Sequence, residues 1–151
     1  MQARSTLAEN DFLLAQRAAY SAILGVVGWV DLCAPDVGSV LERYAGRLAG
    51  VRHIVQSEPD DQFLLRAEFQ RGVALLDRFG MTYDILIFPR QLPAACAFAD
   101  RNPTLRLVLA RTCARPECGG YCFTPDVQFG SVRVALTARL SQHSPVDRTK
   151  V

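Results

Sequence analysis

The 151-residue sequence predicts an α/β fold built on a parallel sheet. Segments with helical three-and-four spacing alternate with short, largely apolar and β-branched runs, the second with polar residues inserted. Those runs lack the in-out polar alternation of strands with one wet face, so they read as strands covered on both sides, as in βα units. Hydrophobic residues make up 50% and charged residues 21%, a balance that supports a packed core and argues against wholesale disorder.

From Ser5 to Arg17, Leu7, Ala8, Phe12, Leu13, Leu14 and Ala15 recur at helical spacing, with Ser5 or Thr6 as cap and Glu9 in the first turn. Ala22 to Leu32 is a compact apolar run, read as a buried strand. After Pro35, Asp36 caps a second helix carrying Val37, Val40, Leu41, Tyr44 and Leu48 and closed by Gly50. Val51 to Gln56 is the second strand. Phe63, Leu64, Phe69, Val73, Leu75, Leu76 and Phe79 then describe one long amphipathic helix ending at Gly80. Thr82 to Phe88 is the third strand, ended by Pro89; Leu92 to Asp100 is a further helix and Leu105 to Leu109 the fourth strand.

Four strands and four helices are about half of a closed (β/α)8 barrel, whereas a doubly wound sheet is complete with five or six strands; periodicity alone does not choose. The chain divides into this α/β region, 1–109, and a segment, 110–151, with scattered arginines, Gly119-Gly120 and three close cysteines, expected to be a poorly packed tail.

A formal charge of +2 gives no sign of a nucleic-acid partner, and no apolar run reaches the length of a membrane span. The first twenty residues carry Arg4, Glu9, Asp11 and Arg17 and lack the apolar segment of a secretory signal, so a reducing cytoplasmic setting is expected. Cys33 and Cys96 fall in apolar segments, against a disulfide framework. Cys113, Cys118 and Cys122 invite a zinc reading with His143 as fourth ligand, but lack tight C-x2-C pairs; free thiols are the better reading.

Functional groups in parallel α/β folds gather beyond the carboxyl ends of the strands. The first exit offers Asp31 and Cys33, the second His53 and Gln56, the third Pro89, Arg90 and Gln91, the fourth Arg111. His53 is one of only two histidines and the one inside an ordered element. It suits a metal ligand or general base, or else a half-buried strand residue bonded to a neighbouring loop, the commoner role for a lone histidine. Arg52 alternates with it, so only one of the two faces the inside of the sheet. Asp31 reads as a turn or capping carboxylate, and Arg90-Gln91 as a helix start.

Five blocks in order carry a resemblance: Gln2-Ala3-Arg4 with Thr6-Leu7-Ala8-Glu9, Gly25 to Leu32, Gly50 to Gln56, Tyr83 to Ile87, and Pro89-Arg90-Gln91-Leu92. Together they resemble the amidohydrolase-related metal-dependent TIM-barrel hydrolases, nearest the sugar-lactonase and dicarboxylate-lactone branches. The resemblance implies a partial (β/α)8 barrel of about four βα units and hydrolysis of a lactone or related carbonyl ester by metal-activated water. It implies a zinc-like divalent metal, His53 as catalytic residue and metal ligand, and Arg52 and Gln91 as substrate-binding residues. The family's His-x-His pair and its Asp-His strand end have no counterpart here, and Val132 stands where a metal-binding aspartate would follow Phe129-Gly130-Ser131. The expectation is therefore a hydrolase of this family on a truncated barrel, with the activity of the isolated chain left open. The alternative is a non-catalytic product that self-associates through open sheet edges. Neither reading involves nucleic acid or a membrane.

Overall fold

The computed structural model of the chain describes residues 3–109. The segment 110–151, with the expected tail, its cysteines and Arg111, lies outside the described residues. Helix α1 (Leu7–Ala19) opens at Thr6, whose extended main chain and hydroxyl cap the first turn by accepting the Glu9 N–H at 3.4 Å. The Glu9 carboxylate reaches back to the Arg4 N–H at 2.7 Å and fixes the chain entering the helix.

Strand β1 (Val27–Gly28) is much shorter than the 22–32 run. Val26, Val30 and Leu32 are buried, but Leu24 is 89% exposed, so this run is not covered along its length. Beyond Gly28 the main-chain groups of Trp29 are taken by the Asn10 side chain instead of by a strand: Trp29 N–H donates to Oδ1 at 2.8 Å, and Nδ2 donates to Trp29 C=O at 2.7 Å. Gly28 is required at this approach, because a Cβ there would collide with Asn10 Oδ1. Asn10 is itself fully buried, on the same helical stripe as Leu7 and Leu14.

Helix α2 (Val37–Tyr44) starts at Asp36, which caps through its carbonyl, accepting the Ser39 N–H at 3.0 Å, with no bond from its carboxylate. It stops short of Leu48 because Gly46 turns the chain through the left-handed region at φ 70°. Strand β2 (Gly50–Ile54) follows and ends in a 3-10 turn over Val55–Ser57. The long helix expected over 63–79 is three pieces: a 3-10 turn (Phe63–Leu65), helix α3 (Ala67–Val73) and a second turn (Asp77–Phe79), the last closed by Gly80 at φ 66°. The break falls at Arg66, whose extended main chain (φ −59°, ψ 137°) redirects the path, and Gln70 Nε2 bridges it by donating to Leu64 C=O at 2.6 Å. Strand β3 (Thr82–Leu86), a 3-10 turn at Pro89–Gln91, helix α4 (Leu92–Arg101) and strand β4 (Leu107–Leu109) complete the described chain.

The four strands are parallel and lie in the order β1-β2-β3-β4. A doubly wound sheet reverses its strand order and carries helices on both faces; successive right-handed crossovers in unreversed order keep the helices on one side. The sheet is therefore a four-stranded arc of a (β/α)8 barrel. Its helix side is marked by Val51, Tyr83 and Leu107, neighbours in register and each no more than 1% exposed. Phe69 of α3 and Phe98 of α4 pack on Tyr83 with ring centroids 5.7 and 5.4 Å away, and Phe63 lies 5.0 Å from Phe69. Such aromatic pairs contribute about 0.5–1.5 kcal/mol each beyond their buried area. Arg52, Asp84 and Val108, also neighbours in register, belong to the opposite, inner face.

Gly72 of α3 packs directly on the Leu32 main chain, leaving no space for a Cβ against that carbonyl oxygen. Helix propensity alone makes Gly→Ala favourable by up to about 1 kcal/mol. The contact reverses the sign: Gly72→Ala is expected to lose about 1–3 kcal/mol in urea denaturation, as overpacking does. An increase in stability would show that the helix does not sit against Leu32.

Candidate active site

The register of β2 against β3 decides which polar side chains meet. Arg52 lies beside Asp84, and His53 beside Ile85. Arg52 is 7% and Asp84 4% exposed, side by side on the inner face about one strand spacing, roughly 4.8 Å, apart along the main chain. Burial holds the Asp84 carboxyl above its ordinary range, and the Arg52 charge only partly opposes this. The pair thus couples a fixed cation to a carboxyl reluctant to ionise.

His53 points the other way, into the aromatic packing under the helices. Its ring stacks on Phe63 at 4.7 Å with planes 10° apart, and Phe69 meets it nearly edge-on at 6.2 Å. The Trp29 indole N–H donates to Nδ1 at 3.4 Å, and Nε2 lies 2.6 Å from Glu58 Oε1. An indole nitrogen has only a hydrogen to give, so Nδ1 is the acceptor and Nε2 carries the proton donated to Glu58. Of the two alternating residues, Arg52 therefore takes the inner face and His53 the covered one.

Gln91 is fully buried beyond β3, and both ends of its amide are used on main chain: Oε1 accepts the Phe88 N–H and Nε2 donates to Val55 C=O, each at 2.9 Å. It ties the turn after β3 to the turn after β2. Gln56 acts likewise, donating to Ile87 C=O at 3.2 Å. Asp31 accepts the Cys33 N–H at 2.9 Å as a turn carboxylate, and Arg90 pairs with Asp61 at 2.8 Å. Cys33 and Cys96 are free, half-buried thiols; burial raises both, and Asp31 raises Cys33 further.

Asp84, Trp29, Glu58 and Asn10 are the site residues that patterns of spacing pass over. Asp84 is the single charge in an otherwise apolar strand, which is itself a signal, since a buried charge needs a partner. Asn10 interrupts the Leu7–Leu14 stripe. Trp29 lies inside an apolar run, and Glu58 sits in a segment that reads as a turn.

A parallel arc with helices on one side and an arginine-aspartate pair on the other defines a fragment of a barrel-type α/β enzyme fold. The Amidohydrolase family model matches residues 1–116, and the chain belongs to that family of hydrolases. An L-fucono-1,5-lactonase from Burkholderia multivorans is 41% identical over 111 residues, covering 72% of this chain and 38% of the relative. A second, from Burkholderia ambifaria, is 30% identical over 122 residues, covering 80% and 42%. The crystal structure of a Burkholderia multivorans amidohydrolase with bound HEPES superposes with a TM-score of 0.67 at 42% identity, covering 72% of this chain and 38% of that one. A second crystal form of it, with bound zinc, gives the same TM-score and identity and is covered to 39%. The chain spans about two-fifths of the length of these relatives.

Zinc in the related structure tests the expectation of a divalent metal here. Both ring nitrogens of His53 are engaged, and among the described residues no group of three or more histidine, cysteine or acidic side chains is placed to hold an ion. The described residues do not form a metal site. Among them, too, no helix is long and apolar enough to cross a membrane.

A carboxyl with a raised pKa binds its proton more tightly folded than unfolded. Its contribution to stability is full below the ordinary carboxyl range and is lost as pH rises through the folded value. Asp84→Asn is therefore expected to melt above wild type at about pH 7, with the gap closing as pH falls toward about 4. A gap that is constant with pH would show that Asp84 is not destabilised as an anion.

Proposed function

We propose that this chain carries part of the inner, substrate-facing surface of a lactone hydrolase whose substrate is a sugar-derived 1,5-lactone. The observation that carries the reading is the Arg52–Asp84 pair, which the register puts side by side on the inner face of a barrel arc. The identity to two proteins named L-fucono-1,5-lactonase supports the choice of substrate.

Hydrolysis of a lactone needs water to add to the carbonyl carbon, negative charge to build on the carbonyl oxygen, and the ring C–O bond to break as its oxygen gains a proton. Arg52 supplies a buried guanidinium for the developing oxyanion, where a low-dielectric setting strengthens such a contact. Asp84, beside it, takes the proton lost by the attacking water and returns it to the ring oxygen. Burial suits the carboxyl to that exchange, because it lessens the preference for the charged form. His53 and Gln91 act on this surface by holding the loops after β2 and β3 in place.

The test is acid release from a hexono-1,5-lactone at fixed pH, with and without added zinc. Wild-type turnover is expected, and Arg52→Met is expected to lower kcat/KM by about a hundredfold or more, the usual loss of an oxyanion donor. Folded protein with no turnover in either condition overturns the reading. That outcome favours a second one, a non-catalytic chain acting through protein-protein pairing.

A further inference from the structure

Away from the strand exits, a groove of about 560 Å³ opens on the helix side of the arc, between the second half of α1 and the turn that leads from α2 into β2. Its floor is apolar: helical spacing sets Leu14, Ala15 and Ala18 on one stripe of α1. The opposite wall is the Gly46 turn, and it is bare, because nothing stands within 4 Å of the place that a Cβ there would take. One arginine from each element borders the groove, Arg17 from α1 and Arg47 from the turn.

The two guanidiniums are held in place without being neutralised. Arg17 donates to the Arg47 carbonyl at 3.1 Å, which leaves most of its N–H groups for other acceptors. The Arg47 guanidinium lies over the ring of Tyr44, 5.7 Å from its centroid, and Tyr44 is fully buried, so the cation rests on a fixed platform. Asp11, the acid of the groove, is already engaged. Its Oδ1 accepts the Tyr44 hydroxyl at 3.2 Å, and its Oδ2 accepts from Arg43 at 3.3 Å. Among the described residues no carboxylate is close enough to pair with Arg17 or Arg47. Asp11 and Arg43 cancel, and two positive charges remain beside an apolar floor.

We propose that this groove binds a small monocarboxylate with an apolar body. A guanidinium offers parallel donors that match a carboxylate, and two of them on neighbouring elements grip it between them. The hydrocarbon part then covers Leu14, Ala15 and Ala18 and takes their apolar surface out of water. Charge selects the sign of the ligand, and the floor selects its body. An inorganic anion leaves the floor wet, and a neutral apolar molecule leaves the guanidiniums unmatched. The groove lies at the amino end of β2, so its occupant does not compete for the surface that carries Arg52 and Asp84. The proposal therefore stands or falls apart from the lactone-hydrolase reading.

Hexanoate is the probe, with acetate as the charge without the body and 1-hexanol as the body without the charge. Calorimetric titration of the full chain is expected to give saturable binding of hexanoate. It is expected to be at least about tenfold tighter than that of 1-hexanol, as hydrogen bonds to a charged group allow. It is expected to exceed acetate by about tenfold, as partial burial of the added methylenes allows. Arg17→Gln and Arg47→Gln are each expected to weaken hexanoate by about tenfold. Arg78→Gln, which removes an exposed arginine outside the groove, is expected to leave it unchanged. Arg17 is exposed, so its variant carries the comparison if loss of Arg47 disturbs the packing on Tyr44. In nitrogen-15 spectra the Nε resonances of Arg17 and Arg47 are expected to move with hexanoate while that of Arg78 stays.

Equal affinity for hexanoate and 1-hexanol, or for hexanoate and acetate, overturns the proposal. So does an equal loss in Arg78→Gln, stationary Arg17 and Arg47 resonances, or the absence of saturable binding.

Discussion

The parallel pairing of β2 with β3 fixes what the polar residues of the sheet do. Side chains alternate along a strand, and the register sets Arg52 against Asp84 and His53 against Ile85. A shift by one residue would send the arginine into the aromatic layer under α3 and α4 and bring the histidine to the inner face. The aromatic layer prevents this: Val51 and Tyr83 are closed off from solvent on the helix side, and the rings of Phe69 and Phe98 pack directly on Tyr83. The apolar core thus selects which ionisable groups share a surface.

This division separates two kinds of polar chemistry. On the inner face, a guanidinium and a carboxyl are buried as neighbours, and burial keeps the carboxyl from ionising readily. At the strand ends, the amides of Gln91 and Gln56 are tied to main-chain carbonyls, and the His53 ring is tied to Trp29 and Glu58. In the function proposed above, the first arrangement meets charge that develops during the reaction. The second sets the shape of the loops around it.

Much of the fold is legible in the sequence because it depends on local rules. The Thr6 cap, the Gly80 stop, the Pro89 boundary and the strands at Gly50–Ile54 and Thr82–Leu86 follow from turn chemistry and β-branched runs. The pieces between Phe63 and Phe79 are not legible, because a continuous apolar stripe hides the bend at Arg66 and the Gln70 side chain that spans it. Barrel against doubly wound sheet is decided by strand order, a non-local property that periodicity does not carry. Arg52 and His53 are both visible as candidates. Their opposite directions depend on which face the helices cover, and their partners Asp84 and Glu58 lie 32 and 5 residues away, on a different strand and in a turn.

Asn10 has a consequence for solubility as well as for shape. A strand with unused main-chain groups is a template for another strand, and proteins guard such rims with charge, bulges or covering segments. At Trp29 the guard is a carboxamide, chemically a detached peptide unit, fully buried and seated with both its donor and its acceptor engaged. An incoming strand finds no vacant valence at Trp29.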